Sequence, residues 1–147
     1  MIDELEEKIV RAMNENARKS FREIAKEVGT SATAVINKVK RMEERKTIKG
    51  YIPVVDPAHF GIDLVAIIAL SISKGKLLET QHKISSDRRV TAVYDITGEW
   101  DSLVIGYFRG REDLNDFIKG VLALPNVDRT VTHLVLNVMK DEKRLLI

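Results

Sequence analysis

Residues 20–51, SFREIAKEVGTSATAVINKVKRMEERKTIKGY, constrain the fold more than any other stretch, because they read as two short helices joined by a tight turn. Phe21, Ile24, Ala25 and Val28 recur with helical spacing and form one apolar face. Gly29 suits the left-handed geometry that ends a helix, and Thr30-Ser31 supplies the oxygen that caps the next one. In that second helix Val35, Val39 and Met42 share a stripe. At about 100° per residue, Thr33, Asn37, Lys40, Arg41 and Glu44 then face the opposite, solvent side. A helix held by its back, with amide, hydroxyl and cationic groups in front, is suited to the major groove of double-stranded DNA.

The charge distribution points the same way. The chain of 147 residues has a net charge of only +2, but residues 1–50 carry 12 Lys+Arg against 9 Asp+Glu. Within 31–49 there are six cations (Lys38, Lys40, Arg41, Arg45, Lys46, Lys49) against two acids. Such clustering is the electrostatic footprint of nucleic-acid binding, although a charge run alone is more often a solvated face. With no cysteine, disulfides and thiolate metal sites are excluded. His59, His82 and His133 lack ligand spacing, so neither a metal nor a cofactor is expected. The longest apolar run, Leu64–Leu70, is too short to span a bilayer, and the expected location is the cytoplasm.

Around this core the pattern predicts a first helix from about Asp3 to Asn16, with Leu5, Ile9 and Met13 inward and Ile2 ahead of its cap. Its early acids, Asp3, Glu4, Glu6 and Glu7, complement the helix dipole. IKGYIPVV reads as a strand, completing a winged helix-turn-helix domain at 1–55, and 56–63 as a linker broken by Pro57 and Gly61. From Leu64 the period changes to two. Strands are predicted at Leu64–Lys74, Arg89–Thr97, Ser102–Arg109 and Val127–Met139. Helices are predicted at Lys76–Ser85 and at Glu112–Ala123, where Leu114, Phe117, Ile118, Val121 and Leu122 face inward. The order βαββαβ makes 64–147 a ferredoxin-like domain in an α+β chain. Both faces of its strands are apolar: Val65, Ile67 and Ala69 oppose Ala66, Ile68 and Leu70. Two helices cover one face, so the other calls for a partner, and a homodimer is the simplest.

The segments IDELEEKIV, NARKSFREIAKEVGTS, IKGY, VDPAHFG, TGEWD and TVTHLVL, in this order and spacing, make the chain resemble the leucine-responsive, or Lrp/AsnC, family of transcriptional regulators. The resemblance covers essentially the whole length. It departs where the family usually has Arg at Lys38, Leu at Thr30 and Met42, and Gly at Lys46. Lys46 thus removes an expected helix C-cap and leaves the entry into IKGY less sharply defined. The resemblance implies dimers that assemble further, a palindromic operator, and a small effector, often an amino acid, held between dimers. By residue matching the effector would meet Gly98, Trp100 and Asp101 of the TGEWD hairpin and Thr130 and Thr132 of the last strand.

On the DNA side, Ser31, Thr33, Asn37 and Lys38 are placed for bases and flanking phosphates, and Lys40 and Arg41 for the backbone. Ser20 and Arg22 are candidate phosphate contacts at a helix N-terminus. Plainer readings stand beside these: Gly98–Asp101 is first a hairpin turn, Trp100 an interface anchor, and the two threonines ordinary strand residues. The first predicted strand has no aromatic, which disfavours RNA recognition by the sheet. No nucleophile–base pair or glycine-rich cofactor loop points to an enzyme, although some siroheme decarboxylases resemble this family in fold. An architectural DNA-binding protein with little sequence preference is the remaining alternative.

Overall fold

The computed structural model describes residues 3–145 and 147. The chain divides into two compact units, one spanning residues 1–54 with 140–147 and the other 55–139. Ile2, expected ahead of the first cap, lies outside the described residues.

In the first unit, α1 (Glu4–Glu15) begins at Asp3, whose carboxylate accepts from the Glu6 N–H at 2.8 Å. Helix α2 (Phe21–Val28) opens with a complete capping box between Ser20 and Glu23. Gly29, at φ 73°, turns the chain, and Ser31 caps α3 (Ala32–Glu44) by accepting from the Ala34 N–H. Ile9, Ala12, Ile24, Ala25, Val35, Val39 and Met42 form the shared core. Residues 140–145 return to this unit: Asn14 donates to the Leu145 carbonyl at 2.8 Å and Arg144 to the Asn14 carbonyl at 3.3 Å.

Two expectations fail at the end of α3. Lys46 does not abolish the cap but adopts the left-handed conformation itself, at φ 60°. Its N–H donates to Glu43 and the Ile48 N–H donates to Met42, so the turn is well defined. An L-residue pays about 1 kcal/mol or more for that geometry and glycine does not. Lys46→Gly is therefore expected to stabilise the unit by about 1 kcal/mol in denaturant titration. A destabilised variant would show that the exposed Lys46 side chain contributes something the backbone argument omits. IKGYIPVV, in turn, forms no strand over residues 48–55. Pro53 has no N–H to donate, and no described segment pairs with the exposed Ile52 and Val54.

In the second unit Asp56 caps a short 3-10 turn (Pro57–Phe60), which leads into the strand β1 (Leu64–Ile72). There follow α4 (Leu77–Ser85), β2 (Val90–Asp95), β3 (Ser102–Phe108), α5 (Arg111–Leu122) and β4 (Val127–Leu134). The sheet order is β2-β3-β1-β4, with every pair antiparallel. The core joins Ala66, Ile68 and Leu70 of β1, Val104 and Phe108 of β3, Ile84 of α4, and Leu114, Phe117 and Val121 of α5. Both helices therefore cover one face. Gly106 makes that packing possible: a Cβ there would lie 2.6 Å from the Phe108 ring.

Paired residues share a face, so Val65, Ile67 and Ala69 stand with Tyr107, Ile105 and Leu103 and with Val131 and His133 on the other side. No helix of the unit covers that side. Strand β4 stops at Leu134 rather than Met139 because its partner β1 starts at Leu64. The Val135 N–H bonds to the Val65 carbonyl, and beyond Leu64 β1 offers no further residue to pair with. Leu122 is half exposed, since Leu114, Phe117, Ile118 and Val121 already fill the inward stripe of α5. No helix among the described residues is long and apolar enough to cross a membrane.

Candidate nucleic-acid interface and effector region

On α3, Thr33, Asn37, Lys40, Arg41 and Glu44 are all exposed, opposite the buried Val35, Val39 and Met42. Ile36, 45% exposed, joins them at the margin. The pairing of charges sharpens this face. On α1, Lys8 and Arg11 are neutralised one helical turn back by Glu4 and Glu7, each at 2.6 Å. Arg22, Lys26, Lys40 and Arg41, on α2 and α3, form no ion pair among the described residues. Helices α1 and α2 carry acids in their first turns, whereas α3 carries none. Four cations thus stand without an ion-pair partner among the described residues where α2 and α3 are exposed, and the amino end of α3 is free of its own carboxylates.

The remaining sequence candidates sit differently. At Ser20 the hydroxyl accepts from the Glu23 N–H and the Glu23 carboxylate takes the Ser20 N–H at 2.6 Å, so an acid of the chain closes that helix terminus. Arg22 stays exposed beside it. Lys38 is half-buried and faces α1: its ammonium pairs with Asp3 and lies 3.8 Å from Glu6. The hydrogen bond from Lys38 is the main reason the Asp3 carboxyl is held below its ordinary range. Arg45 reaches the same Glu6 carboxylate at 2.8 Å. Tyr51 donates to Glu43 at 2.8 Å, and burial together with that carboxylate pushes its phenol up to about 12.

In the second unit, Gly98 takes a φ of 118° in the β2–β3 hairpin. Asp101 ties that hairpin to the end of β1. Its N–H donates to the Leu70 carbonyl at 2.9 Å, and its carboxylate accepts from the Ile72 N–H at 2.8 Å. Trp100 lies under the Arg129 guanidinium, 4.4 Å from the ring centroid, and Arg129 pairs with Glu99 at 3.0 Å. Arg129 pairs in register with Ser71 and so stands on the open face, whereas Thr130 and Thr132 pair with Leu70 and Ile68 and stand on the helix face. Within one chain the five effector candidates therefore form two groups, Gly98, Trp100 and Asp101 at the hairpin and the threonines across β4. A cavity of about 170 Å³ lies between α4 and α5, lined by Lys83, Ile84, Arg89, Phe117 and Val121 among others, and includes no residue of the hairpin.

Comparison with known proteins decides the family. A model described as the AsnC-type helix-turn-helix domain matches residues 2–43, and one described as the Lrp/AsnC ligand binding domain matches residues 65–145. The chain belongs to the Lrp/AsnC family. An uncharacterized HTH-type transcriptional regulator of Pyrococcus abyssi is 41% identical to it over 145 residues, 99% of each chain. An HTH-type transcriptional regulator of Methanocaldococcus jannaschii is 37% identical over 146 residues, again 99% of each. Among solved structures, E. coli AsnC superposes with a TM-score of 0.89 at 26% identity, covering 97% of both chains. A Neisseria meningitidis transcriptional regulator, solved as its L-Met complex, shares the fold with a TM-score of 0.90 at 23% identity, covering 99% of this chain and 97% of that one.

This Lrp/AsnC regulator therefore carries a DNA-binding helix-turn-helix unit followed by a ligand-binding unit. Ile36, Lys26 and Arg129 are residues near these surfaces that the sequence did not single out, and Asp3 and Glu6, expected only to complement the helix dipole, prove to be partners of Lys38 and Arg45. Only Ile36 left a signal, as an apolar residue off the buried stripe of α3. The others are ordinary charges until their partners are known.

Proposed function

We propose that the protein is a sequence-specific regulator that binds a palindromic operator as a homodimer, with α3 of each copy in the major groove. The observation that carries this reading is the face of α3: exposed Thr33, Ile36 and Asn37, able to meet base edges and thymine methyls, beside the unpaired Lys40 and Arg41. Pairing of the open sheet faces is the mode of dimerisation that fits the uncovered Ile67, Ile105 and Val131. Catalysis forms no part of the reading. The test is electrostatic. Each phosphate neutralised contributes about 0.9 to the slope of log affinity against log salt. Lys40→Ala is expected to weaken binding to all duplexes and to flatten the slope by about one. An unchanged slope would remove Lys40 from the interface.

We also propose an amino-acid effector, held where a second dimer completes the Gly98–Asp101 hairpin. The L-Met complex of the Neisseria relative supports that chemical class, and Asp101 offers a carboxylate for an ammonium group. Because Asp101 also accepts from Ile72, its test is Asp101→Asn, which keeps an acceptor and removes the charge. In thermal-shift and light-scattering titrations with the common amino acids, the wild type is expected to respond to at least one. Asp101→Asn should lose that response while dimerisation and DNA binding persist. An equal response from the variant would put the pocket elsewhere.

A further inference from the structure

We propose that Lys38 is a positioning residue rather than a DNA contact. With Arg45 it ties α3 to the acidic first turn of α1, and so sets the rotation at which Thr33 and Asn37 are presented. This rests on the reading of α3 as the helix that enters the groove.

The key group is Glu6. It is 3% exposed, among the most buried side chains of α1, beside Ile9 and Ala12. A carboxylate so placed is costly unless paired. Its partners are Lys38 of α3 at 3.8 Å and Arg45, the C-cap of α3, at 2.8 Å. Asp3 completes the set: one oxygen caps α1 by accepting from Glu6, and the other binds the Lys38 ammonium.

Seven residues along a helix amount to about two turns less 20°, so Lys38 and Arg45 lie on one flank, roughly 10 Å apart along the axis. Two attachments at that separation oppose both rolling and tilting of α3 against α1. They add a directional constraint to the apolar stripe, whose hydrophobic attraction is itself non-directional. Rolling by even part of a turn would carry Thr33 and Asn37 away from the base edges, whereas exposed Lys40 and Arg41 would still find phosphates. The clamp therefore bears on discrimination between sequences more than on affinity as such.

The two roles of Lys38 predict different results. A lysine that neutralises a phosphate contributes about 0.9 to the salt slope, and one already neutralised by Asp3 contributes little. The experiment uses the full chain, an operator duplex selected by the wild type from a random pool, and a scrambled duplex, each titrated over a range of salt. Lys38→Met is expected to lower the operator-to-scrambled affinity ratio by about tenfold, comparable to one mismatched base pair, with an unchanged slope on scrambled DNA. Lys38→Arg should restore the ratio. Asp3→Asn, which weakens the clamp from the α1 side without altering any cation, should lower the ratio in the same way. A slope flattened by about 0.9 in Lys38→Met, with the ratio intact, would overturn the proposal and make Lys38 a phosphate contact. A ratio that survives in both variants with an unchanged slope would overturn it too, leaving the DNA reading of α3 intact. A wild-type chain with no salt-dependent affinity for any duplex would instead overturn that underlying reading.

Discussion

Ile67→Glu is expected to convert a dimer into a monomer or an unfolded chain. Ile67 sits on the central strand of the sheet, on the face that neither α4 nor α5 covers, between Ile105 of β3 and His133 of β4. If that face packs against its copy, the new carboxylate is buried in both protomers without a partner. An uncompensated buried charge costs roughly 3–5 kcal/mol. The symmetry of the contact applies that cost twice. A charge on a face that stayed in water would cost little. The wild type should also melt at a temperature that rises with protein concentration, as expected when folding and association are linked. Sedimentation of both proteins checks the point. A wild-type monomer at micromolar concentration, or an Ile67→Glu variant that remains dimeric with the same stability, would refute sheet-to-sheet pairing.

The parts of this fold that were legible in the sequence are those decided by local periodicity and capping. Val35, Val39 and Met42 are buried as their spacing requires, and Gly29 and Ser31 cap as their chemistry requires. The four strands and two helices of the second unit follow the change of period after Leu64. What escaped depends on a partner. Val135–Met139 has strand composition, but β1 offers it no residue beyond Leu64. IKGYIPVV likewise has strand composition and no partner strand among the described residues. Period two shows that Thr130 and Thr132 share a face, yet the register with Ile68 and Leu70 decides which one. Lys38 lies in the first turns of a basic helix and invites a phosphate, but its carboxylate partner is 35 residues away. The Lys46 turn was missed for another reason: its left-handed geometry is imposed by the hydrogen bonds of Lys46 and Ile48 to the end of α3 against local preference.

The second large effect concerns Asn37, at the centre of the exposed face of α3 and opposite the buried stripe. An asparagine carboxamide meets the N6 and N7 edge of adenine with two hydrogen bonds, and a good bidentate pair is worth about 1–3 kcal/mol of discrimination. Replacing it with alanine removes that discrimination at one base position in each half-site and leaves the phosphate contacts of Lys40 and Arg41 in place. The measurement is selection of binding sites from a random duplex pool by wild type and Asn37→Ala in parallel. A two-fold symmetric motif is expected from the wild type, with Asn37→Ala enriching the same motif except for one relaxed position per half-site, at nearly the same salt slope. No motif from the wild type, or an identical and equally sharp motif from Asn37→Ala, would contradict the claim that the face of α3 carrying Asn37 reads the DNA sequence.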